Sequence, residues 1–135
     1  MHASGRGVTK DDVQAVQWYR KAAEQEHVVA QYNLGLMYAS GRGVPKDDVQ
    51  ALQWYRKAAE QGSAGGLSHL GAMYSEGHGV SQNNAEALKW FRLAAQQGYA
   101  DAQFNLGILY ALGQGVPQDY VKAHLWFNIS AISGK

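Results

Sequence analysis

Five histidines are the first candidates for proton transfer or metal ligation: His2, His27, His69, His78 and His124. A zinc site gathers its ligands at one point, as in H-E-x-x-H, where two histidines sit one helical turn apart. None of the five stands at such a spacing from a second ligand, so neither a metal nor a cofactor is expected. The paired acids Asp11-Asp12 and Asp47-Asp48 resemble an acid–base dyad. Each pair opens a helical pattern, where a carboxylate caps free amides and favours the helix dipole. Neighbouring residues also diverge around a helix, so capping is the better reading. The Gly-x-Gly-Val loops at Gly41, Gly77 and Gly113 invite a phosphate-binding reading. A dinucleotide loop follows a strand and leads directly into a helix. Here a helical pattern comes first, and the reading fails. No Gly-x-Ser-x-Gly element is present, and no residue is expected to be catalytic.

The elements that position these residues come from a repeat. Gly5, Gly41, Gly77 and Gly113 recur every 36 residues, as do Val8, Val44, Val80 and Val116, and Trp18, Trp54, Trp90 and Trp126. A fixed period of this size marks a solenoid, whose units bury apolar surface by stacking on their neighbours. In residues 27–62, Ala30, Leu34, Met37 and Tyr38 share a helical face. Gly41 is placed to end that helix in the left-handed conformation. Val44 plugs the gap to a second helix, whose N-cap is Asp47 with Gln50 as capping-box partner. Asp11 with Gln14 and Asn83 with Glu86 repeat the signature, whereas Lys122 breaks it behind Asp119. Ala51, Tyr55, Ala58 and Ala59 make the second helix's face, and Gly62 stops it. The four tryptophans, tempting as stacking platforms for sugars or bases, keep strict register and read as packing between repeats.

Seven helices are predicted, near residues 12–25, 28–39, 48–61, 64–76, 84–97, 100–112 and 120–133. They form one domain, divided at 1–26, 27–62, 63–98 and 99–135. Residues 1–26 match residues 37–62 at all but four positions, among them His2/Tyr38 and Glu26/Gly62. The first unit therefore reads as lacking its first helix, and the sequence as starting inside a repeat. That leaves room for a targeting segment upstream. Two departures are expected to alter local shape. Gly65-Gly66 loosens the start of its helix or permits a close backbone approach, and Glu26 changes the first turn.

Ala30, Leu34, Gly35, Met37, Tyr38, Gly41, Gly43, Val44, Asp47, Ala51, Trp54, Tyr55, Ala58, Ala59 and Gly62 together resemble the Sel1-like repeat, a relative of the tetratricopeptide repeat. Leu70-Gly71, Leu106-Gly107, Tyr74, Tyr110, Ala87 and Ala123 carry the pattern into the later units. The resemblance covers nearly the whole chain. It implies an all-α fold, a right-handed α-solenoid (α-α superhelix) of antiparallel helix pairs with about three and a half repeats. It also implies a bacterial, non-catalytic adaptor or scaffold for a protein or peptide partner, and it allows a periplasmic or secreted location. Cysteine-rich members are linked to β-lactams, and this chain has no cysteine.

In related solenoids the first helix of each pair lines the concave groove. A helical wheel puts Val29, Asn33, Leu36 and Ser40 on the flank that would face it. Their counterparts are Gly65, His69, Ala72 and Glu76, then Asp101, Asn105, Ile108 and Leu112. The candidate ligand-binding residues are therefore Asn33, Leu36, His69, Glu76, Asp101, Asn105 and Ile108. Side-chain amides both donate and accept, as the backbone of an extended peptide requires. The competing reading is that the same amides bridge neighbouring helices.

A net charge of +1 with no basic stripe disfavours nucleic acid, and a helical-repeat RNA reader would not place Glu76 and Asp101 in its groove. A cell-wall or β-lactam hydrolase remains the enzymatic alternative. It would need a deep pocket holding a perturbed carboxylate or an activated serine. No apolar run reaches the roughly 18 residues of a membrane span, and MHASGRGVTKDD lacks a signal peptide's apolar stretch. Self-association is expected through solenoid ends that lack polar caps.

Overall fold

The computed structural model describes residues 10–134. They form seven helices: α1 (Lys10–Glu24), α2 (Val28–Ser40), α3 (Asp48–Glu60), α4 (Ala64–Glu76), α5 (Asn84–Gln96), α6 (Ala100–Leu112) and α7 (Tyr120–Ser133). Each packs on the next, and the chain is an all-α solenoid. Gly5, Gly7, Val8 and His2 lie outside the described residues.

Within a pair, one glycine sets the approach of the helices. A Cβ on Gly35 would stand 2.8 Å from the Tyr55 ring. Gly71 meets Phe91 and Gly107 meets Phe127 in the same way, at 2.8 and 2.7 Å. The loop glycines do two different jobs. Gly41, Gly77 and Gly113 are left-handed C-caps at φ 73°, 73° and 68°. Gly43, Gly79 and Gly115 are also left-handed, and each presses on the second helix of the preceding unit. Val44, Val80 and Val116 are half-buried beside them.

The second helices start as the sequence suggests, with one correction. Asp47, Asn83 and Asp119 accept from the amides of Gln50, Glu86 and Lys122 at 3.0–3.1 Å. The reciprocal half of the capping box is absent. The cap residue's own amide donates instead to Tyr38, Tyr74 or Tyr110 of the preceding helix. Gln50 and Glu86 are thus not needed as partners, and Lys122 breaks nothing. Asp11 is not a cap, because it lies within the described part of α1, Lys10–Glu24.

Three further expectations are revised. The Gly65-Gly66 pair does not fray α4, which starts at Ala64 behind a Ser63 cap. It permits close approach. A Cβ on Gly65 would fall 2.8 Å from Tyr32, and one on Gly66 would fall 3.0 Å from the Ala59 amide. Glu26 does not reshape its turn either. It adopts φ 69°, in the left-handed region where Gly62 and Gly98 sit. The tryptophans share a register but not an environment. Trp90 is 8% exposed beneath Arg56 of α3, whereas Trp18 is 71% exposed on the first described helix.

A cross-repeat ladder was not read from the sequence. Arg20, Arg56 and Arg92 donate to the hydroxyls of Tyr38, Tyr74 and Tyr110, each 18 residues on. Both residue types recur with the period, so the offset was the available signal. Asn128 takes the arginine's place in the last unit.

Candidate binding groove

The helices α2, α4 and α6, the first of each pair, contribute to an aromatic cluster that spans three units. His69 of α4 stacks on Tyr55 at 5.0 Å between ring centres and meets Tyr32 of α2 edge-on at 5.4 Å. Burial first, then the neighbouring Tyr99 hydroxyl, push the Tyr32 phenol above its ordinary value. Tyr99 precedes α6, so side chains from alternate units converge on this side.

The His69 ring is held. Its Nδ1 lies 2.9 Å from the Gly65 carbonyl and 3.5 Å from the Tyr32 hydroxyl. A carbonyl can only accept, so Nδ1 is the donor in the shorter contact. Tyr55 is 1% exposed, and its hydroxyl has no hydrogen-bond partner among the described residues. Burial above all, then the charges of Tyr32 and Asp48, push its phenol well above the usual range.

Three clefts run together along α4. One, of about 370 Å³, is lined by His69, Ala72, Asp101 and Asn105, with Ser68, Tyr99, Phe104 and Ser130. A second, of about 90 Å³, lies between Glu76, Asn105 and Ile108. The third, of about 320 Å³, adjoins Tyr55, His69, Ala72 and Glu76 and reaches Lys46, Asp48 and His78. Ala72 borders all three, so they form one groove. Five of the seven sequence-predicted residues meet there: His69, Glu76, Asp101, Asn105 and Ile108. Asn33 and Leu36 lie outside these clefts, with Leu36 packed against the core.

Neither Asn33 nor Asn105 shows a side-chain hydrogen bond among the described residues, while His69 bonds within its own helix. The amides that do bridge helices are Gln31 and Gln103. Gln31 donates to the Ala23 carbonyl and accepts from Gln61 at 2.6 Å. Gln103 donates to the Ala95 carbonyl, but its Oε1 is unpartnered because Ser133 replaces the reaching glutamine. Sequence reading missed Tyr32, Tyr55, Ser68 and Tyr99. Their meeting depends on how units stack, which a wheel drawn for one helix cannot contain.

The described residues hold no group of three or more His, Cys, Asp or Glu side chains able to bind a metal. No helix of the described residues is long and apolar enough to cross a membrane. The serines that line the groove are not hydrogen-bonded to a histidine, and Ser130 donates to the Ala100 carbonyl at 2.8 Å.

Comparison with known proteins adds a family. The Sel1 repeat profile matches residues 1–27, 28–63, 65–99 and 100–135. A protective antigen of uropathogenic Escherichia coli displaying an SLR fold is 49% identical, with a TM-score of 0.90 over 94% of this chain and 27% of its own. A Sel1 repeat protein from Oxalobacter formigenes is 40% identical, with a TM-score of 0.87 over 97% of this chain and 54% of its own. This chain thus spans between a quarter and about half of those two proteins. Cysteine-rich protein B of Helicobacter pylori is 26% identical, with a TM-score of 0.72 over 98% of this chain and 95% of its own. No curated protein gives a significant match. The repeated glycine contacts, the valine plugs and four successive profile matches converge on one assignment: the chain belongs to the Sel1 repeat family.

Proposed function

We propose that this domain is a non-catalytic interaction module that binds an extended segment of a protein partner along its concave groove. The observation that carries the reading is the continuity of the three clefts through Ala72. A continuous groove suits a chain, whereas a hydrolase needs one closed pocket around a reacting bond. The unpaired amide of Asn105, between the Asp101 and Ile108 ends of the groove, supplies donor and acceptor for a peptide backbone. Membership of a repeat family whose units commonly mediate protein interaction supports the same reading. A photoreactive residue placed at Ile108 tests it. It should form a covalent adduct with the partner, while the same residue at exposed Gln53 on α3 should not. Adducts at Gln53 alone would refute the groove.

A second reading rests on α7, whose outer face carries exposed Val121, Leu125, Ile129 and Ile132. Gln53 and Lys89 stand at the register of Leu125 in the preceding units, and Glu60 and Gln96 at that of Ile132, while Leu93 and Val49 are already apolar at the registers of Ile129 and Val121. Replacement of polar residues by apolar ones at outward positions supports self-association through this face.

A further inference from the structure

At one register the middle unit lacks a ring that both its neighbours carry. Tyr32 of α2 packs on Tyr55 at 5.9 Å between ring centres, and Phe104 of α6 packs on Phe127 at 5.3 Å. The corresponding residue of α4 is Ser68. Phe91, the counterpart of Tyr55 and Phe127, has no ring neighbour among the described residues. The Tyr32 ring also leans into the next unit, where it closes on Gly65 and meets His69 edge-on. One period later those two positions are Asp101 and Asn105. The cleft of about 370 Å³ is lined by Ser68, Asp101 and Asn105 together. It therefore occupies the space that a ring at position 68 would fill. Ala72 widens it, where the neighbouring units have Leu36 and Ile108.

The floor of this cleft is polar. Ser68 is 6% exposed, and its hydroxyl has no hydrogen-bond partner among the described residues. Unlike the Tyr55 hydroxyl, it is not sealed from solvent, and of the three clefts Ser68 borders only this one. A nearly buried hydroxyl left unpaired calls for a partner from outside. The walls are aromatic, with Tyr99 and the exposed ring of Phe104. A side chain that enters from the groove presents its tip to the floor. A flat apolar body ending in one hydroxyl matches aromatic walls above an unpaired hydroxyl.

We infer that the partner segment inserts a tyrosine side chain into the cleft between Ser68, Ala72 and Phe104. Its ring packs on Phe104 and Ala72, in the seat that Tyr32 fills one unit earlier, and its phenol donates to the Ser68 hydroxyl oxygen. This assignment rests on the groove reading and sharpens it, since it names one anchoring side chain.

Nα-acetyl-L-tyrosine methylamide is the probe, titrated into isotope-labelled protein and followed by amide and methyl chemical shifts. Its phenylalanine analogue keeps the ring and removes the hydroxyl. The tyrosine probe should shift the amides of Ser68 and Asn105 and, through its ring current, the Ala72 methyl. It should bind about threefold or more tighter than the phenylalanine analogue, the scale of one hydrogen bond. Ser68→Ala keeps the cleft and deletes the hydroxyl, so it should make the two probes equal without lowering the melting temperature. Ser68→Phe copies Phe104 and fills the seat, so it should abolish the Ala72 shift with both probes. Equal binding of the two probes to the parent, or a tyrosine advantage that survives Ser68→Ala, overturns the tyrosine anchor and leaves the groove standing. An Ala72 shift that survives in folded Ser68→Phe overturns the seat, and Ser68→Ala decides alone if Ser68→Phe does not fold. Failure of both probes to shift any amide of α4 or α6 overturns the inference and counts against the groove itself.

Discussion

Gly77 and Gly79 separate two costs that a repeat glycine can hide. Both adopt φ +73°, so alanine at either position suffers the same left-handed strain, about 1–2 kcal/mol. Alanine recovers about 0.4–1 kcal/mol of this by restricting the unfolded chain. The surroundings then diverge. A Cβ on Gly77 meets Gln82 within its own loop at 3.3 Å or more, a contact that yields with little motion. A Cβ on Gly79 falls 2.6 Å from the Asp48 carbonyl oxygen, which belongs to the first turn of the preceding unit's helix. Only separating the two units relieves that overlap, which adds about 1–3 kcal/mol. Gly77→Ala should therefore destabilise by about 1 kcal/mol and Gly79→Ala by about 2–4 kcal/mol. Urea unfolding, followed by helical circular dichroism and tryptophan fluorescence, measures both. The Gly79 variant should also unfold less cooperatively, since nearest-neighbour coupling holds a solenoid together. Equal losses at the two sites would refute the argument that the second loop glycine exists for stacking.

Two further outcomes follow from single residues and a third from a pair. Glu26→Gly should stabilise by about 0.5–1 kcal/mol, because φ 69° strains a glutamate and not a glycine; thermal unfolding of the variant reads this directly. Gln103→Leu should be neutral or stabilising by up to about 1 kcal/mol, since it removes an unpartnered buried oxygen and copies Leu67 of the middle unit. A marked loss in urea titration would show that the bond to the Ala95 carbonyl matters more than the orphaned oxygen. Sedimentation of the parent at high concentration should reveal association that Leu125→Gln with Ile129→Lys abolishes. A parent that stays monomeric contradicts the α7 reading.

What could be read from the sequence was local. Helix ends declare themselves through Gly41, Gly77 and Gly113, which alone suit the left-handed cap, and through Asp47, Asn83 and Asp119. Helix faces follow from the spacing of Leu34 and Met37, or of Ala51 and Tyr55. What could not be read was relational. The capping box fails because an amide finds a carbonyl of the neighbouring helix, and no motif within one helix contains that choice. Trp18 and Trp90 are identical in register, yet among the described residues only Trp90 lies under a preceding second helix. In the groove, one wheel put His69 and Asn105 at equivalent positions of their helices, and both border one cleft. It had no means to bring Tyr32, Tyr55 and Tyr99 around them, because their meeting depends on the rotation between units.

The central claim is that the face formed by α4 and α6 holds the partner. The most direct measurement is the affinity of the purified partner for two single variants by calorimetry. Ile108→Asp places a charge inside the groove, while Gln53→Asp places the same charge on exposed α3. The account predicts a loss of about tenfold or more for the first, the scale of a lost interface anchor, and no change for the second. Unchanged binding by Ile108→Asp, with loss in Gln53→Asp, would contradict it.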